Sequence, residues 1–183
     1  MDSQEIKVPK ERVGVLIGVA GAVKKEIERK MDVDLHIDSD EGDVTITGEN
    51  SLKVYEASSV VKAIGRGFNP RLAALLYSED YMLDIMVIQD FIGRSKKHLM
   101  RIKGRIIGKE GKARKLIEAA TETHISVYGK TIGIIGKVEQ VAVARQALEM
   151  LLEGSPHGNV FKWLEHKKRE LVRKEFEKQL PIA

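Results

Sequence analysis

The strongest constraint on the fold of this chain is a glycine-rich stretch that occurs twice in the sequence. The first occurrence lies at 14–28 and the second at 104–118, an offset of 90 residues. The matching positions are Gly14, Ile17, Gly18, Gly21, Ile27 and Glu28 and, in the second stretch, Gly104, Ile107, Gly108, Gly111, Ile117 and Glu118. This offset is longer than a solenoid repeat and close to the size of a small domain. The sequence therefore predicts two copies of one domain.

Hydrophobic periodicity around each stretch predicts the same order of elements, β-α-loop-α-β-β-α. In the first copy we expect strands at 5–8, 34–38 and 44–48 and helices at 11–17, 22–30 and 52–65. In the second copy we expect strands at 82–88, 123–128 and 131–135 and helices at 95–107, 112–120 and 138–152. The apolar run at 82–88 favours a strand that is buried on both faces. Gly104 leaves open whether its helix is interrupted.

These elements divide the chain into four predicted segments. They are a first domain at 1–66, a helical connector at 67–80, a second domain at 81–154 and a basic amphipathic helix at 155–183. Asn69 and Pro70 supply an N-cap and an N1 proline for the connector helix. The final helix has an apolar stripe that consists of Val160, Leu164, Leu171, Val172, Phe176 and Leu180. We expect Trp163 on this helix to pack against the second domain rather than to stack on a base.

Charge is distributed unevenly along the chain. Residues 1–69 carry a net charge of −3, residues 70–155 of +4 and residues 156–183 of +3. An anionic partner is therefore expected to meet the second half. No apolar run approaches the roughly 20 residues that span a bilayer, and acidic residues before 13–23 argue against a signal peptide. The absence of cysteine fits a cytoplasmic protein and excludes disulfides and thiolate metal sites.

Catalytic and cofactor chemistry finds no support in the sequence. The five histidines are scattered, and no pair has metal-ligand spacing with suitable partners. The stretch 104–110 is not a P-loop, because its spacing is one residue short and no Ser or Thr follows the lysine. We find no nucleophile beside a base, so the sequence predicts a protein that is not an enzyme and holds no metal or cofactor.

The repeated loop is suited to binding a phosphate backbone. Two helices that meet at Gly-x-x-Gly direct free N–H groups at one space, and the missing side chains allow close approach. In the second copy the predicted RNA-binding residues are Arg101, Gly104, Arg105, Ile107, Gly108, Lys109, Glu110, Gly111, Lys112, Arg114 and Lys115. In the first copy they are Gly18, Val19, Ala20, Gly21, Lys24 and Lys25. An apolar groove beside the second loop is predicted to take unstacked bases on a floor of Ile107, Ile117, Ile125 and Val127. We expect Ile107 and Ile117 to serve the core first and the groove floor second.

The two loops differ in charge. Val19 and Ala20 lie between the glycines of the first copy, and its hairpin turn at 38–43 is acidic. We therefore predict that the second copy is the main RNA site, with the first either a weak site or a structural or protein-docking unit. Glu110 is left with two interpretations, exposure to solvent or pairing with a neighbouring cation. Gly14 and Gly104 are equally consistent with close helix packing and with an open groove.

The motif Ile-Gly-x-x-Gly with Ile-Glu at 117–118, set in this order of elements, resembles the KH domain. The resemblance implies an α+β fold of two tandem eukaryotic-type (type I) KH domains, each with a three-stranded antiparallel sheet packed on one side by three helices. The layout, with the tail at 152–160, resembles archaeal relatives of the Partner of Nob family. That resemblance implies single-stranded RNA binding near the 3′ end of small-subunit rRNA during ribosome assembly and processing. It also implies the Nob endonuclease and the alpha subunit of initiation factor two as partners.

Two other functions stay open from the sequence. One is an RNA-binding subunit of an exosome-like nuclease complex, although such a subunit usually carries a further nucleic-acid domain for which this chain has no room. The other is a protein-interaction scaffold with a degenerate first KH unit. The neutral loop of the first copy favours the scaffold, and the basic loop of the second copy argues against it.

Overall fold

The computed structural model of the chain describes residues 2–179, which form two units of similar architecture. The first unit contains β1 (Asp2–Lys7), α1 (Lys10–Ile17), α2 (Ala22–Met31), β2 (Asp34–Ile37), β3 (Asp43–Gly48) and α3 (Ser51–Gly65). The connector forms α4 (Pro70–Ala73) and a 3₁₀ helix (Ala74–Tyr77). The second unit contains β4 (Tyr81–Val87), α5 (Gln89–Ile92), α6 (Lys96–Ile107), α7 (Lys112–Thr121), β5 (His124–Tyr128), β6 (Thr131–Lys137) and α8 (Val138–Leu152). The last helix is α9 (His157–Gln179).

Each unit has an antiparallel three-stranded sheet in which the last strand is central. The strand orders are β1-β3-β2 and β4-β6-β5. β1 pairs with β3 from Asp2 opposite Gly48 to Lys7 opposite Asp43. β4 pairs with β6 from Tyr81 opposite Lys137 to Val87 opposite Thr131. The predicted α+β fold with two such sheets is confirmed.

The helices form where the sequence periodicity and capping residues predict them. In α2, Ile27 and Met31 are four residues apart and both are buried. The side chain of Asn50 accepts hydrogen bonds from the backbone N–H groups of Leu52 and Lys53, which caps α3. Asn69 caps the connector helix in the same way through the N–H of Leu72. The apolar stripe of α3 is buried and consists of Val54, Ala57, Val60, Val61 and Ile64.

Two expectations for the second unit are resolved by the structure. α6 continues without interruption through Gly104 to Ile107. The prediction that β4 is buried on both faces is wrong, because Met86 is its only buried residue and the others are half-buried or exposed. β4 lies at the edge of its sheet, where one side of the strand has no neighbouring strand to cover it.

The strand that is covered on both faces is β6. Its residues 131–136 are all buried. Ile132 and Ile134 face the helices of the second unit and belong to its core, whereas Ile135 belongs to the core of the first unit. On the face of Ile135, a Cβ built on Gly133 would lie 2.7 Å from the ring of Phe68. The end of the first unit therefore packs directly on the sheet of the second.

Polar contacts reinforce this packing between the two units. The Ser126 hydroxyl donates to the Arg66 carbonyl oxygen at 2.9 Å, and the Tyr128 hydroxyl donates to the Glu11 carboxylate. Arg12 is drawn into the same region, since its Nε donates to the Ile64 carbonyl oxygen at 2.8 Å. These contacts join β5 of the second unit to α1 and the end of α3.

The first turns of α9 belong to the core of the second unit. Val160 and Leu164 are buried in that core, and Trp163 packs against it in a half-buried position, as expected. Further along, Val172 is 54% exposed and Phe176 is 69% exposed. The predicted apolar stripe is thus buried at its beginning and open to solvent at its end, and Leu180 lies outside the described residues. No helix within residues 2–179 has the length and hydropathy that a membrane span requires.

Candidate nucleic-acid interface

The two Gly-x-x-Gly loops follow the same backbone path. In the first unit, Gly18 has φ 73° and ψ 173°, and Gly21 has φ 75°. In the second unit, Gly108 has φ 73° and ψ 175°, and Gly111 has φ 75°. The residue before each second glycine is also left-handed, with φ 53° at Ala20 and 55° at Glu110. The loop geometry is therefore a property of the motif and does not depend on the two residues between the glycines.

The first glycine of each loop is required by space as well as by its dihedral angles. A Cβ built on Gly108 would lie 2.8 Å from the backbone nitrogen of Ala113 and 2.7 Å from its Cβ. At Gly18 the corresponding distances are 2.9 Å to the nitrogen of Val23 and 2.5 Å to its Cγ2. A side chain at either position would push the following helix away from the loop, and the helix N-terminus would lose its position.

The helices after the loops begin without a side-chain cap. Gly111 is the N-cap of α7 and Gly21 is the N-cap of α2, and neither helix start has a side-chain hydrogen bond. The first N–H groups of an uncapped helix have no intrahelical partner and carry the positive end of the helix dipole. Each loop thus offers an anion a set of backbone donors at an exposed position.

Cations surround this position in the second unit. Lys109, Lys112 and Lys115 are exposed, and none of the three forms an ion pair with another described residue. The Cε of Lys115 lies 3.9 Å from the position of a Cβ on Gly111, which places its ammonium group beside the loop. Arg114 instead pairs with Glu118, with 3.6 Å between Nε and Oε2. Glu110 is exposed, which agrees with the first of its two interpretations.

The first unit has fewer unpaired charges at its loop. Lys24 forms an ion pair with Glu28 at 3.7 Å, whereas the Cε of Lys25 lies 3.8 Å from the position of a Cβ on Gly21. Val19 is 90% exposed at the tip of the loop. In the first unit, Lys25 is therefore equivalent to Lys115, and the apolar Val19 is equivalent to Lys109.

The acidic turn of the first unit is organised by its own backbone. The Asp38 carboxylate accepts hydrogen bonds from the N–H groups of Asp40 and Glu41 at 2.9 and 3.0 Å, and these bonds lower the pKa of Asp38. Lys7 pairs with Asp43 at 2.8 Å. Across the described part of the chain, no group of three His, Cys, Asp or Glu side chains could hold a metal ion. The carboxylates serve the hairpin turn and surface ion pairs.

Gly14 and Gly104 face open space. A Cβ built on either residue would meet no atom within 4 Å, so neither glycine serves close packing between helices. Both lie on exposed surface one helical turn before the first glycine of their loop. The open-groove interpretation is the one that this geometry supports.

The predicted floor of the groove is only partly accessible. Ile107 and Val127 are half-buried and can contact a ligand. Ile117 and Ile125 are 0% and 4% exposed and belong to the core of the second unit. The expectation that Ile117 serves the core first is confirmed, and the prediction that Ile125 lies on the groove floor is wrong, because α7 and β5 direct these side chains into the helix–sheet interface.

Two predicted arginines on α6 have different surroundings. Arg101 is exposed, and its Nη2 lies 3.0 Å from the Nε2 of His98. Arg105 is half-buried, and its Nη2 donates to the carbonyl oxygen of Ser155 at 2.7 Å. The structure thus uses Arg105 to hold the loop between α8 and α9, while Arg101 remains at the surface.

The repeated glutamate of the motif has a structural role that the sequence did not assign. Glu118 Oε1 accepts a hydrogen bond from the backbone N–H of Ile125 at 2.7 Å, and Glu28 Oε1 accepts one from Leu35 at 3.0 Å. Each bond ties the helix after the loop to the first strand of the hairpin. Glu118 and Ile125 lie 90 residues after Glu28 and Leu35, so the repeat itself was the sequence signal for this hydrogen bond.

Comparison with known proteins agrees with this geometry in both units. Residues 82–169 match a family model described as the eukaryotic type KH-domain (KH-domain type I), and residues 3–63 match the KH domain model. A KH domain-containing protein of Methanocaldococcus jannaschii is 47% identical over 176 residues, which are 94% of this chain and 77% of that protein. The chain belongs to the KH-domain family. The predicted resemblance to type I KH domains is confirmed.

More specific relatives define the branch of this family. Dim2p from Pyrococcus horikoshii OT3 has a solved structure that is 43% identical to this chain, with a TM-score of 0.85, and the match covers 91% of this chain and 99% of Dim2p. A complex of a/eIF2alpha, aDim2p and rRNA from the same organism matches at 43% identity and a TM-score of 0.87, over 92% of this chain and 95% of the matched chain. The chain is thus a tandem KH protein of the Dim2p and PNO1 family.

The eukaryotic relatives are longer. The pre-rRNA-processing protein PNO1 of Candida albicans is 30% identical over 166 residues, which are 88% of this chain but only 60% of PNO1. The predicted resemblance to the Partner of Nob family is confirmed. Membership of this family agrees with the prediction of a binding protein rather than an enzyme.

Proposed function

We propose that this KH protein binds single-stranded RNA with its second unit, through the loop at 108–111 and the groove beside it. The observation that carries the proposal is the uncapped start of α7, surrounded by the exposed Lys109, Lys112 and Lys115. KH domains use such a loop to clamp about four nucleotides of backbone. The open surface at Gly104 leaves room for the strand to approach α6.

We further propose that the RNA is small-subunit rRNA, bound near its 3′ end during ribosome assembly and processing. Support comes from the likeness to aDim2p in a complex with rRNA and to pre-rRNA-processing protein PNO1. The same complex supports the alpha subunit of initiation factor two as a partner. The Nob endonuclease as a second partner rests on the family resemblance alone, and the proposed cytoplasmic location rests on the absence of cysteine.

The first unit is proposed as an accessory site or a docking unit. Its loop has the backbone geometry for a phosphate, but Val19 and Ala20 supply no charge and Lys24 is paired with Glu28. A docking function for this unit is favoured by Val19, an apolar side chain that is 90% exposed at the tip of the loop. The second unit would then bind the RNA, and the first unit would contact a protein partner.

A matched pair of double variants tests the ranking of the two loops. Lys109→Asp with Glu110→Asp, and Val19→Asp with Ala20→Asp, each lower the charge of one loop by two. Asp enters the left-handed region more readily than most residues, so the φ values near 55° at Glu110 and 53° at Ala20 are tolerated. We expect the variant of the second unit to weaken binding of a single-stranded RNA by about tenfold or more, because phosphate contacts carry most of the affinity.

The measurement is fluorescence anisotropy with an oligonucleotide from the 3′ end of small-subunit rRNA, over a series of salt concentrations. The variant of the first unit should change the affinity by less than about threefold. Affinity of the unmodified protein should fall as salt rises. Equal losses in the two variants would contradict the ranking of the loops, and an unmodified protein that binds no RNA would contradict the proposed function.

A further inference from the structure

The second unit carries an insertion that the first unit lacks. The last residues of β1 and β4, Lys7 and Val87, each lie opposite the first residue of the central strand. From there to the first glycine of the loop, the first unit has the ten residues 8–17 and the second unit has the twenty residues 88–107. The ten additional residues form α5 and lengthen the following helix from eight residues in α1 to twelve in α6.

The insertion forms one side of an open surface cavity along α6, the helix that leads to the loop at 108–111. This cavity of about 680 Å³ lies between α5, α6 and the loop that joins α8 to α9. Its lining includes Phe91, His98, Arg101, Arg105 and Glu153. The first unit lacks the segment that builds one wall of this cavity.

Aromatic and cationic groups meet in this cavity. Phe91 is 38% exposed, and the guanidinium group of Arg101 lies beside the ring of His98 at 3.0 Å. Arg105 is held in place from two sides, since its Nη2 donates to the Ser155 carbonyl oxygen and its own carbonyl oxygen lies 2.8 Å from His157 Nε2. A base can stack on the exposed ring while the cations attract a phosphate.

The charge of the insertion favours nucleic acid as the occupant. Residues 88–107 carry six basic side chains and one acidic one, a net charge of +5. The equivalent residues 8–17 carry two basic and one acidic, a net charge of +1. The cavity lining itself carries Arg101, Arg105 and Glu153, a net charge of +1 with His98 neutral. The excess of cations matches the backbone charge of RNA.

We propose that this cavity is a nucleotide subsite for the same RNA strand whose backbone lies on the loop at 108–111. Arg101 is seven residues before Gly108 on one continuous helix, which is about 10 Å along its axis. A strand that continues from the loop along α6 passes Arg101 and the cavity, so a nucleotide outside the four that a KH loop clamps can enter it. The subsite rests on the proposed function and extends the RNA path of the second unit.

The test compares a short and a long RNA on the full chain. Fluorescence anisotropy at one fixed salt concentration is measured with labelled single-stranded RNAs of about four and about ten nucleotides, lengths that fill the loop alone or the loop and the subsite. Phe91→Ala is expected to lower the affinity for the longer RNA by about tenfold, which is the size of the effect of a lost stacking contact. The shorter RNA should bind within about twofold of the unmodified protein, because it does not reach the cavity.

Three further variants test stacking on Phe91 and the phosphate contact of Arg101 separately. Tyr55→Ala removes an aromatic side chain that is 63% exposed on α3 and should leave both RNAs unaffected. Phe91→Tyr keeps a stacking ring and should retain binding. Arg101→Gln should reduce the salt dependence of the longer RNA by about one phosphate contact. Scanning 2-aminopurine along the longer RNA should reveal one quenched position outside the loop-bound nucleotides, and Phe91→Ala should abolish that quenching.

The outcomes separate this proposal from the function on which it rests. If Phe91→Ala binds both RNAs like the unmodified protein, while the Lys109 and Glu110 variant still loses affinity, the subsite is wrong and the proposed function stands. An equal loss of affinity for both RNAs in Phe91→Ala would also contradict the proposed subsite, because it would show a general effect on the second unit. If an acidic peptide such as polyglutamate binds in a Phe91-dependent way and the longer RNA does not, the cavity is a protein-docking site. An unmodified protein that binds neither RNA overturns both proposals.

Discussion

Gly104 and Gly108 are one helical turn apart, yet the structure needs them for different reasons. Gly108 has a left-handed backbone and no room for a Cβ, whereas Gly104 lies within α6 and faces open space. Gly108 is required by the conformation of the loop. Gly104 is tolerated at a cost in helix stability, and it leaves the groove surface uncovered.

Alanine at these two positions should have opposite effects on stability. We expect Gly108→Ala to lower the free energy of unfolding by about 1–3 kcal/mol, because it adds strain at a positive φ and a contact with the Ala113 nitrogen. Gly104→Ala should raise it by up to about 1 kcal/mol, because alanine favours the helix and meets no neighbour. Urea denaturation followed by circular dichroism measures both. A destabilised Gly104→Ala protein would show that this surface is covered in solution.

At the scale of elements, α9 divides into two parts with different surroundings. Leu164 is 2% exposed and lies in the core of the second unit, whereas Phe176 on the same helix is 69% exposed. The helix is therefore held by its first turns. The family model for the second KH unit, which extends to residue 169, covers this packed part of the helix as well.

A pair of truncations on α9 should show this division. Leu164→Ala should cost about 2–5 kcal/mol of unfolding free energy, since it leaves a cavity in a close-packed core. Phe176→Ala should change it by no more than about 0.5 kcal/mol, as is usual for an exposed side chain. Thermal and urea unfolding of the two variants provides the comparison. Similar losses in both would place Phe176 against the protein surface.

The two loops show how much of the backbone structure the local sequence determines. Both loops adopt the same dihedral angles although the residues between the glycines differ. The periodicity of each copy also predicted the strands and helices of the two KH units, with the exception of α5. The short α5 was missed, because four residues next to Gly93 carry too weak a periodic signal for a helix.

At the scale of the whole molecule, the two units pack into one structure through β6 and the residues around Phe68. Tyr128 and Glu11, which are 117 positions apart, are joined by a hydrogen bond across this contact. That bond is the main cause of the lowered pKa of the Glu11 carboxyl. It is also the second cause, after burial, of the raised pKa of Tyr128.

This contact predicts a dependence of stability on pH. Because the folded-state pKa of Glu11 lies below its ordinary value of 4.5, the contact stabilises the fold above that pH and its contribution is lost as pH falls through the folded pKa. Tyr128→Phe should therefore be less stable than the unmodified protein at neutral pH, and the difference should shrink under acid conditions. Urea unfolding at about pH 7 and about pH 3 measures this. A difference that stays constant would show that the hydrogen bond is not formed.

The sequence by itself determined the two KH units, their loops and the contrast in charge between them. These features are local, since glycine at a left-handed position, helical periodicity and charge all act within a few residues along the chain. Tertiary structure decided how the units pack, which isoleucines are buried and what Arg105 contacts. Those outcomes depend on residues far apart in sequence, such as Arg105 and Ser155 at a separation of 50. The cavity beside α6 likewise lies where the α8–α9 loop comes close to α5 and α6, which are about 50 residues earlier in the sequence.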